Sequence, residues 1–125
     1  MNSTWYCGTV CHGNGNGRKF GYPTVNLFAI TPATGFETGV YAARVRFDGT
    51  LFGAMMYVGS RPTLGLEEPV VEIHIFDFHG DLYGRKLEFQ AVEYLRTEQK
   101  FGTVDALMEQ LSLDEQQIRQ LISEI

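Results

Sequence analysis

Val40-Tyr41-Ala42-Ala43-Arg44-Val45-Arg46-Phe47-Asp48-Gly49-Thr50-Leu51 alternates in character over its first eight residues. Tyr41, Ala43, Val45 and Phe47 project to one side of an extended chain, and Arg44 and Arg46 to the other. That is the pattern of a half-buried strand. Asp48-Gly49 then supplies the positive-φ residues of a tight hairpin turn, and the nearly all-apolar run from Leu51 to Val58 reads as the returning strand.

Reading outward, Gly59 to Pro69 carries two glycines and two prolines and reads as a loop. From Val70 to Phe78 the alternation resumes, with Val71, Ile73 and Ile75 on one face and Glu72, His74 and Phe76 on the other. His79-Gly80-Asp81 has turn chemistry, and Lys86 to Leu95 is a long strand. Toward the N-terminus, Trp5 to Cys11 is a short β-prone run. The glycine-dense stretch Gly13 to Gly21 cannot hold a helix or a regular strand.

The C-terminal period is helical. Thr103 is placed to cap a short helix presenting Val104, Leu107, Met108 and Leu111. Asp114, with Gln117 three residues on, is placed to cap a second whose stripe is Ile118, Leu121, Ile122 and Ile125. Several short-spaced strands followed by helices predict a mainly β fold: a closed or nearly closed antiparallel barrel with C-terminal α-helices packed outside. The expected boundaries are one domain over residues 1–125, with the barrel at about 5–95 and the helical tail at about 103–125.

Composition narrows the function. The chain has 125 residues, 44% hydrophobic and 20% charged, with a net charge of −5. It is globular rather than disordered, and its acidity argues against a nucleic-acid partner. Neither a membrane-spanning apolar run nor a signal-peptide pattern is present. Cys7 and Cys11 have no zinc-site spacing around them and read as reduced thiols. A cytoplasmic monomer is the expectation.

Four stretches can carry chemistry. In Gly21-Tyr22-Pro23-Thr24-Val25-Asn26, residues two apart share a side, so Thr24 and Asn26 present a hydroxyl and an amide oxygen together. Such neutral hard oxygens suit a Mg²⁺ ion shared with phosphates. The preceding glycines allow backbone amides to approach an anion, with Arg18 and Lys19 beside them. The plainer reading is a flexible connection, since the sequences of a P-loop and of a dinucleotide-binding turn are both missing. Glu72 is a general base if its face lines a site, and otherwise solvated surface; His74 reads first as a hydrogen-bonded structural residue. In Asp77 to Gly84, Tyr83 can stack on a flat ring, while Asp81 reads as a turn residue. Arg96 and Phe101 can grip an aromatic ligand, or anchor the helix to the barrel.

Taken in order, Gly21-x-Pro23-Thr24-x-Asn26, Gly39-Val40-Tyr41-Ala42, Gly59-x-Arg61-Pro62-Thr63, Glu72-x-His74, Asp81-Leu82-Tyr83-Gly84 and Arg96-x-Glu98-x-x-Phe101 resemble the riboflavin kinase (flavokinase) family. In bacteria that domain commonly forms part of a bifunctional riboflavin kinase/FMN adenylyltransferase. The resemblance implies a closed six-stranded antiparallel Greek-key barrel, and a reaction in which ATP and riboflavin give FMN and ADP with Mg²⁺. Thr24 and Asn26 match the metal- and phosphate-binding pair, and Glu72 matches the proposed base. Gly13, Gly15 and Lys19 fall in the loop that closes over the nucleotide. Ile75, Asp77 and Tyr83 fall at or near the ATP site, and Arg96 and Phe101 at positions that contact the flavin. Gln99 stands where many members have lysine. The adenylyltransferase part is not in the chain, so the implied reaction stops at FMN. The segments Gly13–Gly21 and Gly59–Pro69 are candidate lids. The competing readings are a non-catalytic flavin- or nucleotide-binding module and a small β-barrel interaction domain.

Overall fold

The structure, a computed structural model, describes residues 4–11 and 21–123, without the side chains of residues 61–63 and 67–68. Its elements are β1 (Tyr6–Cys11), β2 (Val25–Thr31), β3 (Gly39–Phe47), β4 (Thr50–Thr63), β5 (Leu66–Ile75), β6 (Lys86–Arg96) and α1 (Val104–Ser123). The six strands close into an antiparallel barrel in the order β1-β2-β5-β4-β3-β6. β3, β4 and β5 are consecutive neighbours, and β6 returns to lie beside β3, which is a Greek-key arrangement.

The strand alternation sorts side chains onto the two sides of the barrel wall. Tyr41, Ala43 and Val45 of β3 join Val71, Ile73 and Ile75 of β5 and Phe89 of β6 inside. Val40 and Ala42 of β3, Met55 of β4 and Phe76 point outward, where they pack with Leu111 and Ile118 of α1. One wall thus carries two apolar layers, the barrel filling and the seat of the helix. Gly53 makes that seat shallow enough: a Cβ there would lie 3.1 Å from Ile122 and 3.3 Å from Phe76.

Two parts of the sequence reading need correction. Gly59 to Pro69 is not a loop: β4 and β5 run straight through it as a ladder from Ala54↔Ile75 to Thr63↔Leu66. Leu64 and Gly65, at φ 53° and 79°, make the turn, a type I′-like pair that suits strand twist. β3 leaves β4 at the pairing Gly39↔Val58, so the outer part of this hairpin is two-stranded. A proline is tolerated in such an arm because its missing N–H can face the open side.

The second correction is that the C-terminal helices are one helix of 20 residues. Thr103 does cap it, since the Ala106 N–H donates to Thr103 Oγ1 at 3.1 Å. Asp114 caps nothing. It lies within the helix, 2% exposed, between the buried Leu111 and Ile118. Val104 and Met108 are exposed rather than part of the packed stripe. No helix among the described residues is long and apolar enough to cross a membrane.

Candidate functional site

A cleft of about 690 Å³ opens at one end of the barrel. Its walls are the end of β1, the start of β2, the inward residues Ile73 and Ile75 of β5, and the connection from Phe78 to Tyr83. Thr24, Asn26, Ile75 and Tyr83, four of the sequence candidates, line it together. Tyr83 is 56% exposed at the rim. Its N–H donates to the Asp81 carboxylate at 2.9 Å, so Asp81 acts as the turn residue it was read to be. Asp77 is not among the cleft residues. It bears a positive φ of 60° and forms a fork with Arg119 of α1 at 2.9 and 3.0 Å. Those hydrogen bonds hold its carboxyl below the ordinary carboxylate range. Gly13, Gly15 and Lys19 lie outside the described residues.

Asn26 joins this cleft to a second surface. In the β2–β5 ladder it stands directly opposite Glu72, and in the β4–β5 ladder Glu72 stands opposite Tyr57. Directly paired residues share a face of the sheet with Cβ atoms ~5 Å apart. Glu72, Asn26 and Tyr57 therefore form a row across three strands on the outside of the wall. Glu72 is half-buried, and burial pushes its carboxyl above the usual glutamate range. Burial also pushes up the Tyr57 phenol, and the negative charge of Asp114 adds to the effect. Its hydroxyl donates to Met55 Sδ at 3.4 Å.

Beyond Tyr57 the row reaches Arg96 at the end of β6. Its guanidinium grips both oxygens of Asp114, with Nη2 at 2.7 Å from Oδ2 and Nε at 3.1 Å from Oδ1. Gln110 donates a further bond to Asp114 at 2.9 Å, and Arg96 Nη1 donates to the Thr97 carbonyl. Gly39 makes room at this corner, since a Cβ on it would meet the Arg96 carbonyl at 2.5 Å and the Tyr94 ring at 2.7 Å. Phe101 is half-buried in the connection between β6 and α1.

On the cleft side of Glu72, His74 is held as the sequence reading expected of a structural histidine. Its Nδ1 donates to the Pro23 carbonyl at 2.7 Å, and its ring meets Tyr22 and Phe76 edge-on at 5.1 and 5.7 Å.

Sequence reasoning missed Tyr57, Asp114 and Gln110. Tyr57 was hidden in an apolar run. Asp114 had a visible signal: at three residues after Leu111 and four before Ile118 it falls on the apolar stripe, where a carboxylate needs a buried partner.

The donor set of the cleft bears on a metal. Among the described residues no group of three or more His, Cys, Asp or Glu is placed to hold an ion by itself. Thr24 and Asn26 offer neutral oxygens, a set that fits Mg²⁺ only when phosphate oxygens and water complete the shell.

The chain is similar to known proteins. Residues 2–122 match the family model described as Flavokinase: Riboflavin kinase. The bifunctional riboflavin kinase/FMN adenylyltransferase of Bacillus subtilis (strain 168) is 32% identical, over 88% of this chain and 36% of that protein. Its counterpart in Haemophilus influenzae is 36% identical, over 86% and 35%. The RNA-binding riboflavin kinase RibR of B. subtilis is 36% identical, over 89% and 48%. A crystal structure described as the macrolide-efflux protein from Streptococcus pneumoniae superposes with a TM-score of 0.84 at 38% identity, over 92% of this chain and 38% of that one. The chain spans between about a third and a half of the length of these relatives. Six strands closed around an apolar filling, a helix seated on the outside, and a sequence match over nearly the whole length place the chain in the riboflavin kinase family.

Proposed function

We propose that the chain transfers the γ-phosphoryl group of ATP to the terminal ribityl hydroxyl of riboflavin, giving FMN and ADP. The observation that carries this reading is the direct pairing of Asn26 with Glu72, which sets a cleft-lining residue beside a half-buried carboxylate.

In the reaction the ribityl oxygen forms a bond to the γ-phosphorus, and the bond from that phosphorus to the β,γ-bridging oxygen breaks. ADP leaves with that electron pair, and the hydroxyl proton passes to Glu72. Burial makes Glu72 a stronger base than a solvated glutamate. Thr24 and Asn26 orient the phosphate chain from the cleft, with Ile75 and Tyr83 on the nucleotide side. Thr24 and Asn26 would hold a Mg²⁺ ion, which would supply neutralising charge at the phosphate oxygens. Arg96 and Phe101 face the flavin, and the Arg96 guanidinium is held by Asp114, which also accepts a bond from Gln110. Because phosphoryl transfer is mostly positioning and charge stabilisation, two substrates meeting at the Asn26–Glu72 pair are sufficient for the chemistry.

The test is incubation with riboflavin and Mg²⁺-ATP, followed by chromatographic separation of FMN, with and without EDTA. FMN formation that EDTA abolishes is the expected result. Binding of riboflavin and ADP without any FMN would replace the kinase with a non-catalytic flavin module. Thr24→Ala should raise the KM for ATP more than that for riboflavin.

A further inference from the structure

We propose that His74 is a positioning residue for the nucleotide side of the site. It fixes where Thr24 and Asn26 enter the cleft by holding the carbonyl of Pro23. This deepens the kinase reading and rests on it.

The β2–β5 ladder runs over Val25↔Ile73, Asn26↔Glu72 and Leu27↔Val71. It stops one residue short of Thr24, the first cleft-lining residue after the proline. The ring of Pro23 removes its N–H, so this residue can be tied to a neighbour only through its carbonyl. A carbonyl needs a donor, and the outward face of β5 provides one in His74. The Nδ1 of His74 lies 2.7 Å from Pro23 O. A carbonyl oxygen only accepts, so Nδ1 carries the hydrogen whether the ring is neutral or charged. This one bond continues the β2–β5 contact past the end of the ladder.

The ring is itself fixed. It meets Tyr22, the residue before Pro23, at 5.1 Å and Phe76 at 5.7 Å. The Tyr22 hydroxyl in turn reaches Ser112 and Glu115 of α1. The Tyr22-Pro23 segment is therefore gripped by its ring from the helix and by its carbonyl from β5, and Thr24 leaves that grip into the cleft. In this arrangement His74 acts through the backbone that carries Thr24.

Three variants test this: His74→Ala, His74→Asn and His74→Gln. Asn places an amide N–H on the same branch of the side chain as Nδ1, whereas Gln carries it one methylene further out. Losing the bond should raise the KM for ATP and the Kd for ADP roughly three- to tenfold, with the KM for riboflavin unchanged. Asn should restore most of the nucleotide affinity and Gln should not. ADP affinity, measured by calorimetry without riboflavin, is independent of turnover. If the wild-type chain binds ADP and forms no FMN, the kinase reading falls while weaker ADP binding in the Ala variant still supports the positioning role. Should the Ala variant fail to fold, the Asn and Gln variants carry the comparison. Wild-type ADP affinity in the Ala or the Gln variant overturns the proposal, as does an equal rise of both KM values without rescue by Asn.

Discussion

Two carboxylates stand on the same side of the barrel wall, at either side of Tyr57, and they are treated in opposite ways. Asp114 is almost wholly buried, yet Arg96 grips both its oxygens and Gln110 adds a third donor. Glu72 is half-buried on β5, and burial alone accounts for its elevated pKa. A buried charge surrounded by its donors belongs to the architecture, because it ties α1 to the end of β6. A carboxylate that is desolvated without a compensating charge is poised to take up a proton. Under the proposed reaction, this contrast is the reason Glu72, and not Asp114, is given the role of base.

The sharpest way to break this contrast is to neutralise each acid in turn. Glu72→Gln should lower turnover about a hundred- to ten-thousand-fold while leaving riboflavin binding intact. Near-normal FMN formation would remove Glu72 from the role of base. Asp114→Ala should leave Arg96 facing a buried gap and cost about 3–5 kcal/mol in urea unfolding. Changing both partners at once, Arg96→Met with Asp114→Leu, should recover most of that stability but not the affinity for riboflavin. If the double variant bound riboflavin normally, Arg96 would be architectural only.

A subtler prediction uses pH. The folded-state pKa of Glu72 lies above the ordinary value of 4.5, so the native state holds this proton where the unfolded chain has released it. Its contribution to stability is fully present below the ordinary value and is lost as pH rises through the elevated one. Glu72→Gln should therefore match the wild type in acid and become the more stable protein toward neutrality. A stability gap that shrinks as pH rises would mean that the Glu72 carboxyl is not desolvated in the folded state. The smallest effect belongs to the exposed fork between Asp77 and Arg119. Asp77→Asn should give a slight loss of melting temperature that high salt erases, since exposed pairs are weak and screened. A loss comparable to that from Asp114→Ala would show that burial is not what separates these ion pairs.

The sequence carried the barrel because strand alternation is a local signal. Val71, Ile73 and Ile75 had to share a side, and they fill the interior. The same alternation put Glu72 on the outer face with His74, although only the register with β2 sets it against Asn26. What stayed hidden depends on partners distant in the chain. Pro62 and Pro69 look like strand breakers until β4 and β5 are seen to project as a two-stranded arm. Asp114 resembles a helix cap until Arg96, eighteen residues earlier, is found against it. Asp77 sits in the connection that borders the cleft, yet its carboxylate is taken by a helix residue that no local pattern indicates.

Closure of the ring has a kinetic consequence. β1 completes it by pairing with β2 on one side and β6 on the other, with Tyr6 opposite Phe89. β1, the earliest of these strands in the chain, waits for β6, the latest, before its second edge is covered. The entropy of joining such distant segments is lost before the contacts that offset it form, and so refolding should run on the millisecond-to-second scale of nonlocal β topologies. α1 packs on the finished wall, so substitutions on its buried stripe should quicken unfolding far more than they slow refolding.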